Sequence, residues 1–339
     1  MISALKWIAA EGTDPYRNLA AEKLLTLDVR EGECILFLWQ NRRTVVIGRN
    51  QNAWEECAVR KLEEDGGHLA RRLSGGGAVY HDLGNLNFSF AVRKADSDPG
   101  KESEVIRRAA EKLGIAAERT GRNDVEAGGR KFSGNAYYET RGCRCHHGTV
   151  MMDVDLGALA AYLTVSGAKL RSKGVASVRA RVVNLKELCP DLTADRLKAA
   201  MLEAFGEVYG LPAEALEPGR LRETEILREA AAFSSEAWLF PPRLPFTAAL
   251  ENRYAWGGIR VELMVRGDRV ARAECVSDAM DESLIRRIRD ALQGCPWSGE
   301  ELAARVEAVS EEEEEAAAGR ELRVRTGRDI AELIRTRIP

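Results

Sequence analysis

Residues 69–90 read LARRLSGGGAVYHDLGNLNFSF: two adjacent arginines, three consecutive glycines, a histidine, an Asp-Leu-Gly-Asn turn and then an alternating apolar run. The chain must pass between two strand patterns through a stretch almost without side chains. Glycine allows close approach of the main chain to a ligand and accepts positive φ without penalty. Successive bare N–H groups form an anion-binding concavity, and arginine adds a planar fork suited to phosphate or carboxylate. Two readings follow: a phosphate cradle, or a tight strand-to-strand turn beside two solvated arginines. The spacing G-x-x-x-x-G-K-[ST] is absent, so the stretch is not a Walker loop.

The rest of the chain sets the context. Its 339 residues suggest about two domains. A net charge of −3 carries no basic excess of the kind a non-specific nucleic-acid binder shows. No apolar run approaches the ~18 residues that span a membrane, and the N-terminus lacks the basic and apolar regions of a secretory signal. Seven cysteines, an odd number, suggest free thiols in a reducing, cytoplasmic setting. The cluster Cys143, Cys145, His146, His147 has no standard zinc spacing and no second ligand pair nearby, so a structural metal is rejected there.

Patterns along the chain predict a mixed fold. Thr13 or Asp14 caps a helix opened by Pro15, with Leu24, Leu25 and Leu27 as its buried stripe. ECILFLWQ and RTVVIG read as a hairpin around Asn41-Arg42, and AWEECAVRKLEEDG as one helix ended by Gly66. LNFSFAV, RKFSGNAYYET and HGTVMMDV read as strands, and 101–113, DLGALAAYL and DLTADRLKAAMLEAFGEVYG as helices. Residues 211–245, rich in Pro, Glu and Arg, suggest a linker. Beyond it come a two-stranded unit turning at Gly267-Asp268, helices near 280–293, 299–308 and 327–337, and an exposed acidic run, Glu311 to Glu315. The expected fold class is α/β (α+β): a large mixed-sheet N-terminal domain over 1–240 and a small α+β C-terminal domain over 246–339.

Three stretches of the first domain combine glycine with dense polar chemistry. They are Arg71-Arg72 with Gly75-Gly76-Gly77 and His81-Asp82; GRNDVEAGGRKFSGNAYYET, with Asn123-Asp124 and Lys131; and His146-His147-Gly148. Lys131 is the sharpest. A lysine just before Ser133-Gly134 can point into a glycine-lined pocket and stabilise charge that develops on acyl-phosphate formation. By itself it reads first as a surface strand lysine.

FLWQNRRTVVIGRNQNAWEEC, LARRLSGGGAVYHDLGN, GRNDV, RKFSGNAYYET, HHGTV, KGVASVRARVVNL and RYAWGGI occur in this order. With them the chain resembles the lipoate–protein ligase A family over nearly its whole length. The resemblance implies the biotin/lipoate ligase type of catalytic domain and activation of lipoate by ATP to lipoyl-AMP, with Mg2+. The lipoyl group then passes to a lysine of a carrier domain, in acyltransferase subunits of 2-oxoacid dehydrogenases or the glycine-cleavage H protein. It implies that Lys131, with Gly134 and Ala136 in its motif, contacts both the lipoyl carbonyl and the nucleotide phosphate. Arg72, Ser74, Gly75, Gly76, Gly77, Ala78, Val79 and Tyr80 would bind phosphates and adenylate. Asn123 and Asp124 would lie near the adenylate and its magnesium, with Asp124 as metal ligand. Trp39 would line the acyl tunnel, and His81 and His147 would lie near the lipoyl group. Val178 and Arg179 belong to a basic segment, 173–181, that would close on the adenylate. The resemblance leads one to expect no cysteine at 143 or 145.

Two rival functions stay in view. One is an ATP-independent octanoyl or lipoyl transferase of the same fold. One class of those uses a cysteine upstream of the lysine, where this chain has Asn123-Asp124-Val125-Glu126-Ala127, and the transferases resemble only the first domain. The other is a non-catalytic lipoyl-domain-binding protein, against which intact Arg72, Lys131 and the glycine run speak.

Overall fold

The computed structural model describes residues 1–120, 124–164, 181–241, 245–311 and 317–338. The chain divides into two compact units. The first comprises Met1–Ile47, Ala53–Arg71 and Ala78–Leu239; the second comprises Gly48–Asn52, Arg72–Gly77 and Phe240–Pro339.

The first unit is built on an eight-stranded mixed sheet. Its strands are β1 (Ala4–Ala9), β2 (Glu33–Trp39), β6 (Asn85–Arg93), β7 (Glu118–Thr120), β8 (Asp124–Ala127), β9 (Arg130–Thr140), β10 (Cys143–Met151) and β11 (Ala213–Ala215), in the order β11-β1-β2-β6-β10-β9-β8-β7. A smaller sheet has the order β4-β3-β5, with β3 (Thr44–Ile47) parallel to β4 (His68–Arg71) and antiparallel to β5 (Val79–His81). The expected β2–β3 hairpin does not form. Both edges of β2 are taken, by β1 and β6, so β3 leaves for the second sheet. The strand β1 had shown only as a short apolar patch.

Strand alternation gives the large sheet two unlike faces. Leu36 and Leu38 of β2, Phe88 and Phe90 of β6 and Val150 of β10 point into an apolar core completed by α4 (Pro99–Lys112) and α6 (Ala194–Tyr209). The other face packs against α1 (Pro15–Asp28). The Asp14 carboxylate accepts the Tyr16 and Arg17 N–H groups, the cap that the sequence pattern allowed. Of the three leucines expected to be buried on α1 only Leu25 is; its other buried side chains include Glu22 and Thr26.

Other expectations need correction. The single helix expected over 53–66 is two, α2 (Ala53–Glu56) and α3 (Val59–Glu64), because the main chain at Cys57 bridges to Leu163. The expected linker is folded structure. There β11 extends the sheet beside β1, and α7 (Glu223–Ser234) packs on α1, with Arg17–Glu223 at 2.7 Å and Lys23–Glu229 at 2.5 Å. Its charge reflects ion pairing across a helix–helix seam rather than solvation of a free chain.

In the second unit β12 (Ala248–Tyr254), β13 (Gly257–Arg266) and β14 (Arg269–Ser277) form a three-stranded antiparallel sheet, one strand more than expected. The β13–β14 turn uses Gly267 at φ 62°. α9 (Glu282–Leu292), α10 (Gly299–Glu311) and α11 (Ala317–Arg337) accompany this sheet, and their apolar side chains form a core with Val261, Leu263 and Val270. The last helix starts ten residues earlier than the pattern suggested, and most of the acidic run lies outside the described residues. Among the described residues no helix is long and apolar enough to cross a membrane.

Candidate active site

The α1-covered face of the large sheet carries polar side chains where a core would carry apolar ones. Asn85, Asn87 and Ser89 alternate along β6, opposite Met151, Thr149 and His147 of β10. Asn85, Asn87, Ser89, His147 and Glu22 are all buried. Burying polar groups costs free energy unless each is paired, so such a face is a candidate for ligand chemistry rather than for stability.

One hydrogen-bonded chain organises it. The Trp39 indole N–H donates to Ser89 Oγ at 3.0 Å, and the Ser89 hydroxyl donates to Glu22 Oε2 at 2.5 Å. His147 Nδ1 meets the same carboxylate oxygen at 2.8 Å. A carboxylate only accepts, so the Nδ1 proton is held toward Glu22, which fixes the ring's tautomer and orientation. His81 is fixed similarly. Asn18 Nδ2 donates to the Gln40 carbonyl and to Asn41 Oδ1, which leaves Asn41 Nδ2 to donate to His81 Nδ1 at 3.2 Å. The His81 ring proton therefore sits on Nε2. The ring stands edge-on to Trp39 with centroids 6.1 Å apart.

Lys131 lies near the start of β9. Its Nζ is 2.6 Å from Asp124 Oδ1, and both side chains are half-buried. Gly134 explains the spacing: a Cβ there would lie 2.9 Å from Lys131 Cε and Nζ, so the glycine makes room for the ammonium to fold back over the strand. The lysine main chain is pinned from both directions, its N–H to the Arg181 carbonyl at 2.8 Å and its carbonyl to the Val183 N–H at 2.9 Å. The end of the basic segment thus runs beside the lysine, while Val178, Arg179 and Asn123 lie outside the described residues. Ala136, buried on β9, pairs with His147 across the strands.

The arginine–glycine stretch is described by parts. Arg71, in the first unit, is buried; its Nε and Nη2 donate to the carbonyls of Trp238 and Leu239 at 2.9 and 2.7 Å. Arg72, in the second unit, is also buried. Its Nε donates to Ser74 Oγ at 3.0 Å, and its Nη2 to the Gly75 and Gly77 carbonyls at 2.6 and 2.8 Å. Neither is the solvated arginine of the turn reading. Arg72 braces the loop and turns its carbonyls inward. The first two glycines have reasons within the unit: at Gly75 a Cβ would meet the Ala279 carbonyl oxygen at 2.2 Å, and Gly76 sits at φ 88°. Gly77 has neither, since nothing lies within 4 Å of its would-be Cβ. Space is therefore left beside Gly77; Ala78 and Val79, which follow it in the first unit, are half-buried and Tyr80 is buried.

Sequence reading missed Glu22, Ser89, Asn41 and Asn18. For Ser89 a signal existed, since N-x-N-x-S in NLNFSF repeats polar residues at the strand period. For Glu22 there was none: it is one carboxylate among helix formers, 125 residues from His147. Cys143 and Cys145 are both buried, and burial pushes the Cys145 thiol well above its ordinary range.

Comparison with known proteins shows the family. Residues 14–206, more than half the chain, match the lipoyl protein ligase A/B catalytic domain, and residues 244–322 match the bacterial lipoate protein ligase C-terminus. The chain belongs to the lipoate–protein ligase A family. It is similar to a lipoate-protein ligase A solved with bound ATP, at 27% identity and TM-score 0.60 over 70% of this chain and 98% of that one. It is similar, too, to the bipartite lipoate protein ligase of Thermoplasma acidophilum, studied with its E2 lipoyl domain, at 28% identity and TM-score 0.62 over 73% of this chain and 100% of that one. LipL1 of P. falciparum, solved with lipoate, shares the fold at 24% identity and TM-score 0.80 over 96% of this chain and 100% of that one.

Proposed function

We propose that this chain is an ATP-dependent lipoate–protein ligase. In the first step a lipoate carboxylate oxygen bonds to the α-phosphorus of ATP, the bond to the β-phosphate oxygen breaks and pyrophosphate leaves with the electron pair. In the second, a carrier-domain lysine amine bonds to the acyl carbon of lipoyl-AMP, the acyl–phosphate bond breaks, AMP leaves with the electron pair and the amine proton passes to solvent. The observation that carries this reading is Lys131, with its ammonium held over Gly134 by Asp124 and its main chain pinned at both ends. A preorganised positive charge of that kind stabilises anionic oxygen in both steps.

The buried polar face supports an acyl site, with Trp39, His81 and His147 fixed in orientation by Ser89, Asn41 and Glu22. The open space beside Gly77 supports a phosphate cradle. Magnesium is commonly held by one or two carboxylates plus substrate phosphates. Asp124, half-buried and already facing a cation, fits that use and would hold Mg2+, which neutralises phosphate charge when bound. Carrier domains of 2-oxoacid dehydrogenases or the glycine-cleavage H protein would be the acyl acceptors. Seven free cysteines suit a reducing cytoplasm.

The test is exchange of labelled pyrophosphate into ATP. Exchange that requires lipoate is expected. Absent exchange, together with ATP-independent acyl transfer and an acyl thioester trapped on a cysteine, would replace this reading with the transferase. The shielded, protonated Cys145 thiol speaks against such an intermediate.

A further inference from the structure

We infer that Glu22, Cys145 and His147 form a binding site for a soft divalent cation such as Zn2+, and that its occupancy blocks the acyl site. The blocking role rests on the function proposed above; the binding does not.

The three side chains come from two elements. Cys145 and His147, two apart on β10, project from the same face, and Glu22 reaches them from α1. One donor atom from each lies within 4.8 Å of the other two, and all three residues are buried. Zinc takes thiolate sulfur, imidazole nitrogen and carboxylate oxygen at about 2.0–2.3 Å, which sets donor atoms roughly 3.4–3.6 Å apart around a tetrahedral centre. His147 Nδ1 and Glu22 Oε2 are 2.8 Å apart, so shifts on the order of 1 Å bring all three donors to a common centre.

Charge fits as closely as geometry. One carboxylate, one thiolate and one neutral imidazole balance a dication, so the buried site ends electrically neutral, the condition under which burial of an ion is tolerated. Binding releases one proton: the Cys145 S–H gives it to solvent as the sulfur–metal bond forms, and the imidazole proton moves from Nδ1 to Nε2 as Nδ1 becomes a ligand. Thr26 Oγ1 donates to the Glu22 carbonyl at 2.8 Å, and the Tyr138 hydroxyl lies 3.2 Å from the same Thr26 oxygen. Three protein ligands leave a fourth position open, the pattern of zinc sites that exchange a ligand. An ion here also removes the Glu22 contact that orients His147.

The experiment titrates the full chain with Co2+ and follows the thiolate-to-cobalt charge-transfer band in the near ultraviolet. The expected result is a band saturating at about one ion per chain, absent in Cys145→Ser and Cys145→Ala and retained in Cys143→Ser. No band in the wild type, or a band that survives both Cys145 substitutions, overturns the site. Should neither Cys145 variant fold, Glu22→Gln decides: affinity for Co2+ should fall at least tenfold, and an unchanged affinity overturns the site. In the activity arm, Zn2+ should suppress lipoate-dependent pyrophosphate exchange in the wild type, while Cys145→Ser, with ordinary exchange in metal-free buffer, should need at least tenfold more Zn2+. Binding by spectroscopy with undiminished exchange would overturn the blocking role. Absent exchange in the metal-free wild type would instead overturn the ligase reading and leave the spectroscopic result standing.

Discussion

The two faces of the large sheet each carry a buried histidine–glutamate pair, from neighbouring residues of one strand. His146 Nδ1 lies 2.8 Å from Glu102 on α4, and His147 Nδ1 lies 2.8 Å from Glu22 on α1. Their surroundings differ completely. His146 stacks on Tyr137 with centroids 4.4 Å apart, meets Phe88 and Phe90, and contacts Asn135 across the strand. His147 stands among Ser89, Cys145 and Trp39's hydrogen-bonded chain. The same chemical pair thus serves as a polar tie in an apolar core on one face and as part of a polar chamber on the other. What separates them is which helix covers them and what alternates beside them, not the residues themselves.

The largest effect on folding should come from the core-side pair. Glu102→Ala leaves the buried His146 ring N–H without its acceptor, a change that typically costs about 1–3 kcal/mol. Denaturant unfolding should show that loss, with exchange activity per folded molecule close to normal. A comparable loss of activity in the folded fraction would break the division between the faces.

Lys131→Ala should do the reverse. Loss of a preorganised charge at a developing anion costs ~10²-fold or more in rate, and a half-buried side chain contributes little to folding. Near-normal lipoyl-AMP synthesis by this variant would remove Lys131 from the chemistry.

Trp39→Ala acts on the polar face without touching the lysine. Its KM for lipoate should rise about tenfold, the effect of a misfitted apolar pocket, and bulkier carboxylic acids should become substrates. An unchanged substrate range would reassign Trp39 to packing.

The smallest effect concerns pH. Burial lowers the His146 pKa from its ordinary value of 6.5, partly opposed by Glu102. In the interval below about 6.5 the unfolded chain therefore binds more protons than the folded one, and stability falls as pH drops through that interval. Tm measured between pH 7 and 5 should decline for the wild type and decline less for His146→Gln. Equal slopes would show that the core-side pair does not titrate as its surroundings dictate.

Much of the candidate site's local geometry was legible in sequence, because its parts depend on local backbone rules. Three glycines beside two arginines announce close main-chain approach, as at Gly75 against the Ala279 carbonyl, and K-x-x-G is legible because the glycine makes room for the lysine's own ammonium. Helix caps such as Asp14 and strands such as LNFSF follow from short-range pattern. Period-two alternation even requires His146 and His147 to face opposite ways. Sequence could not determine which face each would join, that β2 would have no edge left for β3, that Arg72 would brace the glycine loop, or that Glu22 would arrive over His147. Those outcomes depend on pairings between residues far apart along the chain. Their free energy comes from burial shared among many side chains at once, and no local stretch carries enough of it to decide them.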